Sequence, residues 1–202
     1  MTAHGLLLAA GAGSRMGTPK ALVSDGDGHW LPRGVGALLD GGCAAVTVVL
    51  GAAVDEALPL LRAPDLLNRD TPENGSEGQV PVAAVVARDW AEGMSASLRA
   101  GLRALEGSDA DVAVVHLVDL PDVGRDVVRR VLAAGSTGAG ALARAAYGGV
   151  PGHPVLLGRD HWAPIAASIT GDEGARDYLK THDTRLVECG DLASGVDVDT
   201  RE

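Results

Sequence analysis

A glycine-rich, basic loop near the amino terminus is the part of the sequence with the clearest chemical potential. Residues 6–22 read LLLAAGAGSRMGTPKAL, an apolar run followed by glycines and then by Arg15 and Lys20. Lys20 is one of two lysines in the sequence, and the other is Lys180. Glycines let backbone N–H groups approach an anion closely, and the two cations add positive charge beside them. The loop therefore predicts a binding site for a polyphosphate.

The spacing within this loop distinguishes between the known kinds of phosphate loop. A Walker A loop requires glycine, four residues and then Gly-Lys-Ser/Thr. Here two residues separate Gly17 from Lys20, and Ala21 stands where the Walker A loop has Ser or Thr. A dinucleotide fingerprint requires G-x-G-x-x-G, whereas Gly11, Gly13 and Gly17 are spaced one residue too widely. The spacing excludes the first kind of loop and argues against the second.

Carboxylates occur at two further places that bear on a polyphosphate site. Asp119 follows the Val-rich run 112–118, and ligands bind at the carboxyl ends of strands in open α/β sheets. Asp119 could equally cap a following helix. Asp197 and Asp199 lie near the end of the sequence, where they could form a solvated acidic stretch. In an acidic chain, a polyphosphate needs either local positive charge or a metal ion held between carboxylates.

The elements that must position these side chains alternate between short apolar runs and helical patterns. Continuous apolar runs are typical of strands that are covered on both faces. The alternation predicts one α/β domain over residues 1–202, with three α/β/α layers and a mostly parallel, mixed sheet of about seven strands. Residues 63–81, polar and containing Pro and Gly, are predicted to form an exposed loop. Strands are predicted at 5–9, 45–50, 82–87, 112–118, 140–146, 154–157 and 185–189, and helices near 32–40, 53–62, 93–106, 122–134, 159–168 and 173–181.

The composition argues against several classes of protein. A formal net charge of −10 argues against binding to nucleic acid, which requires many cations. No apolar run approaches about 20 residues, so neither a membrane span nor a signal peptide is expected. Cys43 and Cys189 have no partner at metal-ligand spacing, and two distant cysteines are typical of a reduced, cytoplasmic protein.

Residues 8–20, LAAGAGSRMGTPK, resemble the signature of the molybdopterin nucleotidyltransferases, a MobA-like family of NTP transferases. This resemblance implies a GT-A-like fold of the nucleotide-diphospho-sugar-transferase type. It also implies catalytic roles for Arg15 and Lys20, which would stabilise the departing pyrophosphate. The implied nucleotide contacts within the loop are Leu8, Ala9, Ala10, Gly11, Ala12, Gly13 and Lys20.

Other segments extend the resemblance to the metal site and the nucleotide site. Residues 90–98 match Trp-x-x-Gly-Met-x-x-Ser-Leu, which makes Ser95 either a nucleotide contact or a helix cap. Asp119 stands where the family carries the catalytic Mg²⁺ ligand of an Asp-x-Pro motif. Asp199, with Asp197 two residues before it, matches a second acidic motif of the family. The resemblance thus implies Asp119 and Asp199 as metal ligands.

Two motifs in the last third of the sequence resemble the family's acceptor-binding segments. Residues 152–154 read Gly-His-Pro, and residues 171–176 read Gly-Asp-Glu-Gly-Ala-Arg. The resemblance implies that His153, Asp172 and Arg176 contact the acceptor.

The resemblance implies transfer of a nucleotide from an NTP to a phosphate acceptor, with release of pyrophosphate. Ala10 and Pro19 match the cytidylyl-transferring branch, which implies CTP as donor, molybdenum-bearing molybdopterin as acceptor and Mg²⁺ as cofactor. A molybdoenzyme or its chaperone would be the protein partner. Three alternatives stay open: another acceptor on the same scaffold, an NAD(P)H redox role of the nicotine-blue type, and a non-catalytic nucleotide-binding partner of molybdoenzymes.

Overall fold

The protein, described by a computed structural model over residues 1–62, 82–135 and 138–199, contains one large β-sheet and a short hairpin. The predicted loop 63–81 lies outside the described residues. The strands of the sheet are β1 (Ala3–Ala9), β4 (Ala45–Leu50), β5 (Val82–Val86), β6 (Val112–Leu117), β7 (Leu142–Tyr147), β8 (Val150–Gly158) and β9 (Arg185–Glu188). The hairpin consists of β2 (Ser24–Asp25) and β3 (Gly28–His29), which the sequence analysis did not predict.

Within the described residues the sheet has seven strands in the order β5-β4-β1-β6-β8-β7-β9. Only β8 runs against its neighbours, and the other pairs are parallel, which confirms a mostly parallel, mixed sheet. β8 begins at Val150, earlier than predicted. Gly148 and Gly149 adopt positive φ angles of 59° and 81° and close a two-residue turn from β7 into β8.

The helices cover both faces of the sheet, which confirms the predicted α/β/α layers. Successive residues of β1 point to opposite faces. Leu7 belongs to a buried cluster with Leu31 of the first helix, and Leu6 belongs to a second cluster with Leu102 on the other face. None of the helices in the described ranges is long and apolar enough to cross a membrane. The helices are α1 (Trp30–Asp40), α2 (Val54–Ala57), α3 (Met94–Leu105), α4 (Arg125–Ala134), α5 (Trp162–Ser168) and α6 (Arg176–Thr181).

One predicted helix is much shorter than its sequence pattern indicated. The predicted helix 53–62 consists of the single turn α2 followed by a 3₁₀ segment over Leu58–Arg62. Pro59 lies at the second position of that segment and has no N–H with which to continue an α-helix.

The strand order places two chemically important segments side by side. β1 and β6 are parallel neighbours near the centre of the sheet, with Leu8 paired to Leu117. The glycine-rich loop follows β1 and Asp119 follows β6, so both emerge at the same edge of the sheet. The segment 190–199, which follows β9, returns to this edge, where the N–H of Val198 donates to the carbonyl of Asp119 at 3.0 Å.

Candidate active site

The glycine-rich loop folds back on itself before it reaches Lys20. The N–H of Met16 donates to the carbonyl of Gly13 at 2.9 Å, and the N–H of Lys20 donates to that of Gly11 at 3.4 Å. Gly13 has a φ of 59°, and a Cβ there would lie 1.9 Å from the carbonyl oxygen of Thr18. A glycine is therefore required at position 13, because it alone permits the turn and the close approach.

The ammonium group of Lys20 joins two carboxylates from distant parts of the chain. Its Nζ donates to Asp119 Oδ2 and, at 2.6 Å, to Asp199 Oδ1. Arg15 also donates to Asp199, with 3.0 Å between Nη1 and Oδ2. The side chain of Lys20 is 19% exposed and that of Asp119 is 13% exposed, so this contact lies largely out of bulk water.

The charges in this cluster stabilise one another. Burial alone would lower the pKa of Lys20, but hydrogen bonds and the negative charges of Asp119 and Asp199 outweigh burial and raise that pKa above its usual value. The hydrogen bond and charge of Lys20, together with Arg15, lower the pKa of Asp199. Lys20 is therefore a cation and Asp199 an anion throughout the neutral range.

Three carboxylates of the site are close enough to share a divalent cation. One oxygen each from Asp119, Asp197 and Asp199 lies within 4.8 Å of the other two. The hydrogen bond from Val198 to the Asp119 carbonyl brings the acidic residues on either side of Val198 to the end of β6. Carboxylate oxygens are the protein ligands that Mg²⁺ and Mn²⁺ prefer, so this donor set fits such a cation.

Segment 190–199 is also fixed at two points away from the carboxylates. Asp122 Oδ2 accepts hydrogen bonds from the N–H and the hydroxyl of Ser194, at 2.7 Å and 2.6 Å. Gly195 lies against the ring of Tyr147, whose hydroxyl donates to the carbonyl of His153 at 2.6 Å. These contacts link the position of Asp197 and Asp199 to the residues around His153.

Two adjoining clefts open beside the cluster. A smaller cleft of about 330 Å³, here called the loop cleft, runs along the glycine-rich loop, Trp90 and Ser97. A larger one of about 540 Å³, here called the wide cleft, extends from the three carboxylates to His153. Lys20 and Asp119 line both clefts. Among the predicted nucleotide contacts, those that line the loop cleft are Leu8, Ala9, Ala10, Gly11, Ala12 and Lys20.

Ser95, the remaining predicted nucleotide contact besides Gly13, lies outside the lining of both clefts. Its side chain is buried, and its hydroxyl has no hydrogen-bond partner among the described residues. Its backbone N–H donates to the carbonyl of Gly171 at 3.0 Å, whereas Ser97 lines the loop cleft. The structure thus places Ser95 in the packing between the start of α3 and the loop at 171–174.

The boundary between the clefts is a close contact of two loops. Gly93, with a φ of 115°, precedes α3, and a Cβ there would lie 2.4 Å from Asp172 Oδ1 and 2.6 Å from the carbonyl oxygen of Gly171. Asp172 lines both clefts. Asp172, predicted as an acceptor contact, is therefore placed where the two clefts meet.

The far end of the wide cleft is lined by two arginines, with Glu173 in the same lining. His153 and Arg176, both predicted acceptor contacts, line it together with Arg144. Burial, followed by the positive charges of Arg144 and other neighbours, lowers the pKa of His153 to about 3, so its imidazole is neutral at pH 7. Arg144 was not among the site residues predicted from the sequence. A charged residue between Ala143 and Ala145 in an otherwise apolar predicted strand was the signal that could have identified it.

The fold and site define an α/β protein that carries a basic glycine loop and a carboxylate cluster at one edge of its sheet. The chain belongs to the family of the MobA-like NTP transferase domain, whose model matches residues 5–186. It is 33% identical over 208 residues to the nicotine blue oxidoreductase of Paenarthrobacter nicotinovorans, covering 98% of this chain and 92% of the relative.

Two solved structures share the fold over nearly the whole chain. Rv0371c from Mycobacterium tuberculosis is 26% identical, with a TM-score of 0.69 and coverage of 99% of this chain and 94% of the other. The same mycobacterial protein has been crystallised in complex with manganese. A nucleotidyl transferase from Methanothermobacter is 22% identical, with a TM-score of 0.75 and coverage of 98% and 92%, and supports the fold alone.

Proposed function

We propose that this protein is a divalent-metal-dependent nucleotidyltransferase that transfers CMP from CTP to the terminal phosphate of molybdenum-bearing molybdopterin. The observation that carries the proposal is the position of Lys20, between Asp119 and Asp199 and at the junction of the two clefts. A phosphate-binding cation, a set of metal ligands and room for a second substrate meet at this point.

The residues have distinct roles in the proposed reaction. The N–H groups of the glycine-rich loop bind the β- and γ-phosphates of the nucleotide, and Arg15 and Lys20 add positive charge. An oxygen of the acceptor phosphate attacks the α-phosphorus, the bond to the bridging β-oxygen breaks, and pyrophosphate leaves towards these donors. An acceptor phosphate is ionised at neutral pH, so the reaction needs no general base from the protein.

Asp119, Asp197 and Asp199 would hold the divalent cation of this reaction. The cation supplies Lewis-acid activation of the α-phosphate when it is bound. The manganese complex of Rv0371c supports a divalent metal for the family, and the carboxylate set of this chain fits Mg²⁺ equally. Without substrate, the ammonium group of Lys20 donates to Asp119 and Asp199. When the nucleotide is bound, the same ammonium group would donate to phosphate oxygens instead of to these carboxylates.

The choice of CTP and of the acceptor comes from the sequence motifs. Ala10 and Pro19 match the cytidylyl-transferring branch, and Ala10 lines the loop cleft. His153, Asp172 and Arg176 line the wide cleft, as an acceptor-binding role requires. Ser95 acts through packing at the start of α3. A cytoplasmic location and a molybdoenzyme or its chaperone as partner complete the proposal, and the buried free thiols of Cys43 and Cys189 are compatible with a reducing compartment.

A redox function is the second candidate, because the relative with 33% identity over almost the whole chain is named as an oxidoreductase. In that case the loop cleft would bind the phosphates of NAD(P)H rather than those of CTP. The two functions differ in their products: nucleotidyl transfer releases pyrophosphate, whereas the redox reaction oxidises NAD(P)H. Nucleotide binding without either product would favour the third alternative, a non-catalytic partner protein.

The deciding experiment measures pyrophosphate release with Mg²⁺ and each of CTP, GTP, ATP and UTP, with and without molybdenum-bearing molybdopterin. We expect release with CTP only when the acceptor is present. Oxidation of NADH and NADPH is followed in parallel with the same preparation. Release with GTP alone would overturn the assignment of CTP, and NAD(P)H oxidation without pyrophosphate release would replace the proposal with the redox function.

A further inference from the structure

Arg144 is a partly buried cation with an unusual set of partners. It lies on β7, and its Nε donates to the carbonyl of Gly152 at 3.2 Å. No carboxylate in the described part of the chain forms an ion pair with it. Burial, followed by the charge of Arg176, lowers the pKa of this guanidinium, although an arginine remains protonated in proteins. The terminal nitrogens of Arg144 are thus left to face the wide cleft.

Arg176 adds a second guanidinium to the same part of the cleft. Glu173 and Asp177 lie close enough for the charge of Arg176 to act on them, and Asp177 accepts a hydrogen bond from Lys180 at 2.8 Å. Arg176 itself forms no ion pair with a carboxylate among the described residues. Elsewhere on the surface, Arg33 pairs with Asp25, Arg129 with Asp126 and Arg130 with Asp191, so arginine–carboxylate pairs are common among the described residues.

Two groups of charged residues line the wide cleft. One group is the three carboxylates with Lys20, and the other is Arg144 and Arg176 near the neutral imidazole of His153, with Glu173 in the same lining. Arg176 is exposed, whereas Arg144 is partly buried. A cation that is partly removed from water costs free energy unless an anion compensates it. The planar fork of a guanidinium matches the oxygens of a phosphate or a carboxylate.

We propose that Arg144 and Arg176 form a second anion-binding site that holds an anionic group of the acceptor other than its reacting phosphate, which in molybdenum-bearing molybdopterin is the molybdenum oxyanion. This inference rests on the proposed function, because it takes the wide cleft as the acceptor site. It adds a restriction on the substrate: the acceptor carries two anionic groups, one reacting at the carboxylate cluster and one anchored by the arginines. Arg144 is the specificity-determining residue of this pair, because β7 and the bond to Gly152 fix its position.

The test uses inorganic phosphate as the probe and thermal unfolding as the readout, in EDTA and with sodium chloride controls at matched ionic strength. The glycine-rich loop can also bind phosphate, so the measurements are made in wild-type protein and in a Lys20→Ala background. We expect phosphate to raise the melting temperature in both. Arg144→Ala and Arg176→Ala should each weaken the apparent affinity for phosphate by about tenfold in the Lys20→Ala background, as loss of a charged hydrogen-bonding partner requires.

Two further variants make the result interpretable. Arg185→Ala removes an exposed arginine from β9, the strand beside β7, and should leave the phosphate response unchanged. Arg144→Lys keeps the charge but loses the fork, and it should give an intermediate affinity. It also replaces Arg144→Ala in the comparison if the alanine variant does not fold.

The possible results separate the inference from the proposed function. An unchanged phosphate response in Arg144→Ala, or in Arg144→Lys if only that variant folds, would overturn the second anion site, whatever the enzyme does with CTP. The opposite result is also informative. If these variants lose the rise in melting temperature with phosphate, but the wild-type protein neither binds CTP nor releases pyrophosphate, the anion site is supported and the nucleotidyltransferase function is rejected.

Discussion

The Nζ atom of Lys20 lies 2.6 Å from Oδ1 of Asp199, although 179 positions separate the two residues in the chain. The contact forms because the loop after the central strand β1 places Lys20 at one edge of the sheet, and segment 190–199 returns to the same edge after β9. Nothing in the sequence around Lys20 or around Asp199 indicates that the other residue is its partner. The site therefore depends on the complete order of the strands.

Removal of the Lys20 ammonium should disable pyrophosphate release without unfolding the protein. We expect Lys20→Ala to lower the rate by about 10²–10³-fold, because one charged donor to the leaving group is lost. The measurement is the initial rate of pyrophosphate release with CTP and the acceptor. Lys180→Ala is the matched control, since Lys180 is exposed and pairs with Asp177 on α6. A Lys20→Ala enzyme as fast as the Lys180→Ala enzyme would contradict the role of Lys20.

The three carboxylates should contribute unequally to metal binding. We expect Asp119→Asn and Asp199→Asn each to weaken Mn²⁺ binding at least about tenfold, because each removes a charged oxygen ligand. Asp197→Asn should weaken Mn²⁺ binding less than the other two substitutions, because Asp197 is the most exposed of the three carboxylates. Mn²⁺ binding is measured by electron paramagnetic resonance without nucleotide. Asp126→Asn, on the exposed surface of α4, is the control, and equal affinities for it and Asp119→Asn would refute the metal site.

The contact of Gly195 with Tyr147 should be needed to hold the metal ligands in place. A Cβ at Gly195 would lie 2.2 Å from ring carbons of Tyr147, and the φ of Gly195 is 65°. Gly195→Ala should therefore displace segment 190–199 and weaken Mn²⁺ binding. Gly148→Ala is the matched control, because Gly148 has a φ of 59° but no atom within 4 Å of an added Cβ.

Both glycine variants should lose about 1–2 kcal/mol of stability through their left-handed backbone. Only Gly195→Ala should lose metal affinity as well. Equal Mn²⁺ affinities in the two variants would show that segment 190–199 tolerates displacement at this point.

His116 should make the folded state sensitive to acid. Burial is the main reason that the pKa of His116 is lowered from 6.5 to about 4. Between these values the unfolded chain binds a proton that the folded protein does not, so stability falls as pH falls from about 6.5 to about 4. We expect the wild-type protein to lose about 2 kcal/mol from this residue between pH 7 and pH 4.5.

His116→Leu should remove that loss, because leucine does not bind a proton. The substitution breaks no hydrogen bond at Nδ1, which has no partner in the described part of the protein. Urea unfolding at the two pH values measures the difference. His29→Asn, which changes an exposed imidazole on β3, should retain the wild-type dependence on pH. An unaltered pH dependence in His116→Leu would mean that other groups account for the acid sensitivity.

Local sequence signals predicted most strands and helices of the fold, and they predicted the part of the site that the glycine-rich loop and Asp119 form. The apolar run of β1, the glycines after it and Asp119 after β6 are contiguous patterns, so their structure follows from nearby residues. The hairpin of β2 and β3 was missed because strands of two residues have no periodicity. The short α2 was overestimated because its apolar pattern continues through Pro59, where the α-helical hydrogen bonds stop.

The rest of the site depends on contacts that no local pattern reveals. The family resemblance assigned Asp199, but nothing in its neighbourhood indicates that Lys20 is its partner. Arg144 was not predicted, because the alternation of residues along β7 shows only on which face of the sheet a side chain lies. It does not show that this face borders a cleft that Arg176 also lines. Ser95 matched a motif, yet the approach of Gly171 to the start of α3 buries it.

The return of segment 190–199 to the end of β6 has a consequence for synthesis of the protein. A nascent chain that ends before residue 190 already contains the glycine-rich loop, Lys20 and Asp119. It lacks two of the three carboxylates and the Ser194 hydroxyl that Asp122 holds. Under the proposed function, such a chain would have the groups that bind a nucleotide but would lack two of the three proposed metal ligands, so activity would have to wait until segment 190–199 has left the ribosome.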